Sequence, residues 1–223
     1  MQDFADIRLK MVDNQLRTNA VTNHRILDAM AEVPREMFVD PSQRAIAYSD
    51  GDIPFSGATA AGRHLQKPMV FAKLIQAAEI DADDFVLVVG CTSGYALAVL
   101  ARLASAVVGV EEDAGLAARA SELMTELEVE NADVFEGPLT EGCKAQGPYD
   151  VIVFDGAAEN IPESMFAQLR DGGRLVHVDG DGRSANAVVV TKSGNTLGKR
   201  LVFNAASPLL PGFKPAPAFV FDD

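Results

Sequence analysis

The chain has 223 residues, 48% of them hydrophobic, which suits one large domain with a full core. Its net charge of −13 sets up a field that repels nucleic acid backbones and anionic membrane surfaces, so neither is expected as a partner. Cys91 and Cys143 are too few for a disulfide scaffold, and with His24, His64 and His177 they show no zinc-site spacing, so no metal site is expected.

The first ten residues lack the basic patch and apolar stretch of a secretory signal, and no apolar run is long enough to span a bilayer. A soluble cytoplasmic protein, monomeric or weakly dimeric, is the expectation. Residues 3–18 place Phe4, Ile7, Met11 and Leu16 at helical spacing. A second helix covers 23–32, capped by Thr22 or Asn23 and ended by Pro34. Pro41 opens a short helix over 41–48. Residues 50–62, rich in glycine and small side chains, form a long loop of the kind that borders active sites. Pro68 then starts a helix through 78.

Residues 84–113 organise the rest. Phe85–Val89 is an apolar run that stops at Gly90. The turn Gly90-Cys91-Thr92-Ser93-Gly94 follows, then a helix over 95–103 and a second apolar run over 107–110. Apolar runs without polar alternation fit parallel strands covered on both faces. The turn sets free backbone N–H groups beside a ligand. Glu111, with Glu112 and Asp113, ends the second strand about 20 residues after Gly90, where ribose hydroxyls find an acceptor in such units. Thr92 replaces the middle glycine that lets a backbone approach a pyrophosphate. That counts against NAD or FAD and leans toward S-adenosylmethionine, which has no phosphate.

A helix follows over 114–127, then strands over 132–135 and 149–154, the latter ending in Asp155-Gly156. Pro162 opens a helix through 169, Asp171-Gly172-Gly173 stops it, and 174–178 is a fifth strand. Segments 186–191 and 197–203 alternate around Ser193-Gly194-Asn195, a hairpin signal. The proline-rich end packs as an extended tail. Five strands in βα order plus a hairpin make a mostly parallel seven-stranded α/β sheet. Its site lies at the carboxyl ends of the strands, under the loop at 50–67. The division expected is an N-terminal helical extension and cover loop (1–82), a core (83–204) and a tail (205–223), forming one compact unit.

MVDNQLR (11–17), ILDAM (26–30) and VPREMFV (33–39) resemble the N-terminal helices of protein-L-isoaspartate O-methyltransferases. VLVVGCTSGYALAVLA (86–101) resembles that family's first S-adenosylmethionine motif, and residues 147–176 its later motifs in strand–helix–strand order. The resemblance implies a Rossmann-like class I S-adenosylmethionine-dependent methyltransferase fold. It also implies methyl transfer to the α-carboxylate of isoaspartyl residues in damaged proteins, a repair reaction. By position it assigns Gly90, Cys91, Thr92, Ser93, Gly94, Tyr95, Glu111, Glu112 and Leu139 to the cofactor. Gln66 and His64 fall where the family has serine and threonine near the acceptor carboxylate. Val88 and Pro138 stand where the family has acidic residues, and Thr92 where it has glycine.

The implied reaction is an in-line displacement by a carboxylate with a reference pKa around 4, so no general base is needed. Charge is lost along the path, and a dry, aligning site is the main lever. The Gln66 amide has two donors for the acceptor. Arg63, His64 and Lys67 read as a solvated basic turn, Cys91 as a small buried residue and His177 as a structural polar residue. Two rivals stay open: a cofactor-impaired binding protein on the same fold, motivated by Val88, Thr92, Pro138 and Gln66, and a nucleotide-dependent oxidoreductase, which Glu111 permits. The enzymatic reading requires a crevice open to an adenosine at the ends of the first two strands.

Overall fold

A computed structural model describes residues 3–56, 62–180 and 182–214. Part of the expected cover loop, residues 57–61, and the end of the tail, 215–223, lie outside the described residues.

Helix α1 (Phe4–Met11) is capped by the Asp3 carboxylate, which accepts from Ala5 N–H at 3.0 Å. It runs on through a π-helical turn, Val12–Leu16, and a 3-10 turn, Arg17–Asn19. Helix α2 (His24–Glu32) is capped by Asn23 and buries Ile26, Leu27 and Met30. Pro34 ends it as expected, because a proline has no N–H for the ladder. Pro41–Ile46 is a 3-10 turn. Strands β1 (Ile53–Pro54) and β2 (His64–Leu65) pair antiparallel at the base of the cover loop. Helix α3 (Pro68–Ala77) opens on Pro68.

The seven-stranded sheet comprises β3 (Phe85–Val89), β4 (Ala106–Glu111), β5 (Ala132–Glu136), β6 (Tyr149–Ala157), β7 (Leu169–Asp179), β8 (Asn186–Ser193) and β9 (Thr196–Asn204), in the order β5-β4-β3-β6-β7-β8-β9. The first five are mutually parallel, and β8 and β9 close the sheet antiparallel. Between the sheet's strands lie α4 (Tyr95–Leu100), α5 (Ala114–Glu126) and α6 (Glu163–Ala167). The chain reverses its lateral direction between β3 and β6, the switch point where such sheets place ligands.

Side-chain alternation explains why β3 is apolar throughout. Val86 and Val88 point into the core shared with α1–α5, while Leu87 and Val89 point into a second core with Leu139, Met165, Leu210 and Phe213. One expected boundary moves. Asp171-Gly172-Gly173 lies inside β7 rather than stopping a helix, because α6 ends early and β7 pairs with β6 on both sides of a bulge. A Cβ on Gly173 would sit 2.9 Å from the Arg170 carbonyl oxygen, so the bulge needs glycine there. Among the described residues no helix is long and apolar enough to cross a membrane.

Candidate active site

The turn after β3 takes a conformation that its residues adopt at some cost. Gly90 sits at φ +78 and Gly94 at φ +95. Thr92 sits at φ +50, and a β-branched side chain there costs about 1–2 kcal/mol. The turn is held by Gly94 N–H to the Cys91 carbonyl at 2.9 Å and by Thr92 N–H to Glu111 Oε2 at 2.8 Å. Ser93 donates its hydroxyl to the Phe38 carbonyl at 2.6 Å, tying the turn to the N-terminal extension. Cys91 is fully buried, and burial pushes its thiol well above the usual range, so it is no nucleophile. Tyr95 is buried under the Arg35 guanidinium, 4.7 Å from its ring centroid.

Glu111 ends β4 with its carboxylate turned toward the turn, at 0% exposure. Five donors meet it. Arg63 Nη2 and Thr92 N–H reach Oε2 at 2.7 and 2.8 Å. Arg63 Nε, Glu112 N–H and Asp113 N–H reach Oε1 at 3.3, 3.1 and 3.2 Å. A carboxylate offers about four lone-pair sites, so none is left over. Arg63 is thus 3% exposed and ion-paired, not part of a solvated turn. Arg63 immediately precedes β2, and its carbonyl accepts from Phe55 N–H at 3.0 Å, which fixes the backbone from which the side chain reaches Glu111.

The expected open crevice is filled. A Cβ added to Gly90 would meet Arg63 Nη2 at 2.8 Å and Leu210 Cδ2 at 2.9 Å. Leu210 arrives because the tail returns to the end of β6: Ala157 N–H donates to the Pro208 carbonyl at 2.9 Å, and Leu210 N–H to the Ala157 carbonyl at 2.8 Å. What is left between Arg63, His64, Gln66, Asp155, Ser207 and Leu210 is a cavity of about 10 Å³, the least that holds one water. A roomier hollow of about 310 Å³ lies behind Ser93, among Phe38, Phe55, Leu116 and Arg119, but Glu111, Gln66 and Asp155 do not line it.

Gln66 is buried and donates Nε2 to Ser207 Oγ at 2.9 Å, while its Oε1 has no partner among the described residues. His64 is half-buried, its Nδ1 3.0 Å from the Gly62 carbonyl oxygen. Glu112 is exposed, and Leu139 is buried in the second core. Both predicted acceptor residues therefore line one small cavity; Arg63 lines it too and links it to Glu111, which does not line it, nor does the turn. Sequence reasoning missed Ser207 and Leu210, and read Arg63 as part of a solvated turn rather than as the partner of Glu111. Asp155 was noted only as a strand-end turn residue. It is 4% exposed, and burial pushes its carboxyl up to about 7 against the pull of the Arg63 and Arg35 guanidiniums. His177 is buried in β7 with Nδ1 3.1 Å from the Ala158 carbonyl oxygen, a structural role as expected.

Comparison with known proteins bears on this geometry. Residues 8–204 match the family model of protein-L-isoaspartate(D-aspartate) O-methyltransferase. The protein-L-isoaspartate O-methyltransferase of Koribacter versatilis is 37% identical over 194 residues, covering 87% of this chain and 86% of that one. That of Rhodopseudomonas palustris is 38% identical over 191 residues, covering 85% and 86%. Among solved structures, a protein-L-isoaspartate O-methyltransferase superposes with a TM-score of 0.79 at 24% identity, over 92% of this chain and 66% of that longer one. A Plasmodium falciparum beta-aspartate methyltransferase in complex with S-adenosyl-L-homocysteine superposes with a TM-score of 0.75 at 18% identity, over 91% and 97%. These two share the fold, and the sequence match settles the kinship: the chain belongs to the protein-L-isoaspartate(D-aspartate) O-methyltransferase family.

Proposed function

We propose that this chain is an S-adenosylmethionine-dependent carboxyl O-methyltransferase acting on L-isoaspartyl residues of damaged proteins, the activity its relatives are named for. The observation that carries the reading at the site is Glu111, a carboxylate at the end of β4 turned toward the Gly90–Gly94 turn. That donor and acceptor set suits an adenosine: the carboxylate for the two ribose hydroxyls, the Gly90 backbone for close approach, and Leu139 and Glu112 for the far end. The chemistry of the residues fits the cofactor, and the room for it is made only when Arg63 and Leu210 withdraw. A binding pocket for a small molecule is roughly 300–1,000 Å³, well beyond the present cavity.

Bound S-adenosylmethionine supplies an electrophilic methyl group. The chain's own residues orient the acceptor and keep water away. Gln66 Nε2 and the Ser207 hydroxyl form a neutral donor pair, able to direct a substrate carboxylate without locking it in an ion pair. His64 borders the same cavity from β2. Leu210 lies over the turn as an apolar cover. No residue is needed as general base, because the acceptor is ionised near neutral pH. The net charge of −13 supports peptides rather than nucleic acid as partners.

The test is methyl transfer to an isoaspartyl peptide, with the same peptide carrying normal aspartate as control. The expected result is ester formation on the isoaspartyl peptide alone, with kcat/KM falling about 10- to 100-fold in Glu111→Gln through lost charge-assisted hydrogen bonds. Equal methylation of both peptides, or of neither, overturns the reading.

A further inference from the structure

Arg63 is the one part of the site that neither the turn nor the transfer chemistry requires. Its guanidinium holds both oxygens of Glu111 and lies against Gly90, where a nucleoside would have to lie. With five donors on the Glu111 carboxylate, ribose hydroxyls have no lone pair to take until Arg63 lets go. Releasing a buried guanidinium into a dry cavity is costly unless another anion receives it.

Such an anion stands across the same cavity. Asp155 lies in β6 at the register break between Val153 and Ala157, is 4% exposed, and has no hydrogen-bond or ion-pair partner among the described residues. The charged groups that act on it most strongly are Arg63, Arg35, Glu111 and Asp52; His64 lines the same cavity, and the Cys91 thiol and Tyr95 hydroxyl also feel its charge. Arg35 is anchored in place by two bonds, Nε and Nη2 donating to the Ala47 and Gln66 carbonyls at 2.7 Å each, and its Nη1 makes no hydrogen bond among the described residues. Arg63 is the guanidinium with a carboxylate on either side of it.

Resting on the cofactor reading above, we propose that Arg63 is a built-in occupant of the sugar subsite that works as a two-position switch, paired with Glu111 while the site is closed and with Asp155 once Glu111 holds a ribose. Arg63 and Asp155 are then positioning residues that set how tightly the nucleoside binds. The apparent affinity of the native chain is lowered by the fraction of molecules in which Arg63 has left Glu111. Proton linkage follows, since only ionised Asp155 attracts the guanidinium. Binding therefore tightens as pH rises through about 7.

The experiment is calorimetric titration of the full chain with S-adenosylhomocysteine, on wild type, Arg63→Ala, Asp155→Asn and the double variant. Arg63→Ala is expected to bind roughly tenfold or more tighter than wild type, a gain that mere structural damage does not produce. Asp155→Asn is expected to bind several-fold more weakly, and that loss is expected to vanish in the Arg63→Ala background, as for two residues coupled through one contact. Where circular dichroism shows Arg63→Ala unfolded, Arg63→Met fills the volume without holding Glu111 and is read in the same way. Wild-type binding that Arg63→Ala leaves unchanged or weakens overturns the switch and leaves the cofactor reading standing. An equal loss from Asp155→Asn in both backgrounds also overturns it, because the carboxylate would then touch the ligand itself. Binding by none of the variants overturns both.

Discussion

Two buried arginines define the site by opposite means. Arg35, at 0% exposure, donates Nε and Nη2 to carbonyl oxygens and lies over the Tyr95 ring; its Nη1 has no hydrogen-bond partner, and no carboxylate pairs with it, among the described residues. Burial pulls its pKa below the usual arginine value, and its bond to the Gln66 carbonyl pins the acceptor segment to the N-terminal extension. Arg63 is held by the Glu111 carboxylate, to which it donates from Nη2 at 2.7 Å and from Nε at 3.3 Å. Asp155 has neither kind of partner among the described residues, and a stability prediction follows from its burial. Folded, it keeps its proton to about pH 7; unfolded, it gives the proton up near pH 4. The folded chain binds more protons between those values, so the group's contribution to stability is present at about pH 4 and is lost as pH rises through 7. At 1.4 kcal/mol per unit the loss is at most roughly 4 kcal/mol. Urea unfolding of wild type and Asp155→Asn across this range should show wild type losing ground to the variant as pH rises. Parallel profiles would contradict the assigned burial.

Elements here are joined by side chains that no periodicity announces. Asn23 caps α2 through Arg25 N–H at 3.0 Å, a role visible in the sequence from its place before an amphipathic run. Gln76 on α3 does as much for the same helix end. Its Oε1 accepts from Thr22 and Asn23 N–H at 2.7 and 3.0 Å, and its Nε2 donates to the Ala20 carbonyl at 3.0 Å. Gln76→Ala should cost about 1–2 kcal/mol, read from the urea midpoint at unchanged slope. A loss below a few tenths would mean that water replaces the amide. Strand existence was legible because both-face burial writes an unbroken apolar run. Strand length was less so: β6 runs on to Ala157 and β7 begins at Leu169, since ladders across a bulge are set by the neighbouring strand.

At the scale of the whole molecule, the described part of the tail, residues 205–214, packs into the core. Phe213 is at 0% exposure, edge-on to Phe154 with ring centroids 5.0 Å apart, and its carbonyl accepts from Glu159 and Asn160 N–H at 3.1 and 3.0 Å. Phe213→Ala should cost about 3–5 kcal/mol, as for any large core truncation, and lower the thermal midpoint accordingly. A cost under about 1 kcal/mol would make the tail an appendage instead. The same segment carries Leu210 over Gly90 and Ser207 onto Gln66, so residues 207–210 bring the end of the described chain to the turn that begins its central unit.

Amino-acid order alone determined the layers, the seven strands of the main sheet, the cap of α2 and the edge of the sheet where such folds place ligands, because burial on one or two faces leaves a periodic trace in neighbouring residues. It also carried the family likeness and the position of Glu111. Only the folded chain decided what Glu111 touches. Arg63 reaches it across 48 residues, Ser207 reaches Gln66 across 141, and Leu210 closes the turn from the far end of the chain. Periodicity reports which way a side chain faces, and carries no record of which distant segment the packing brings against it.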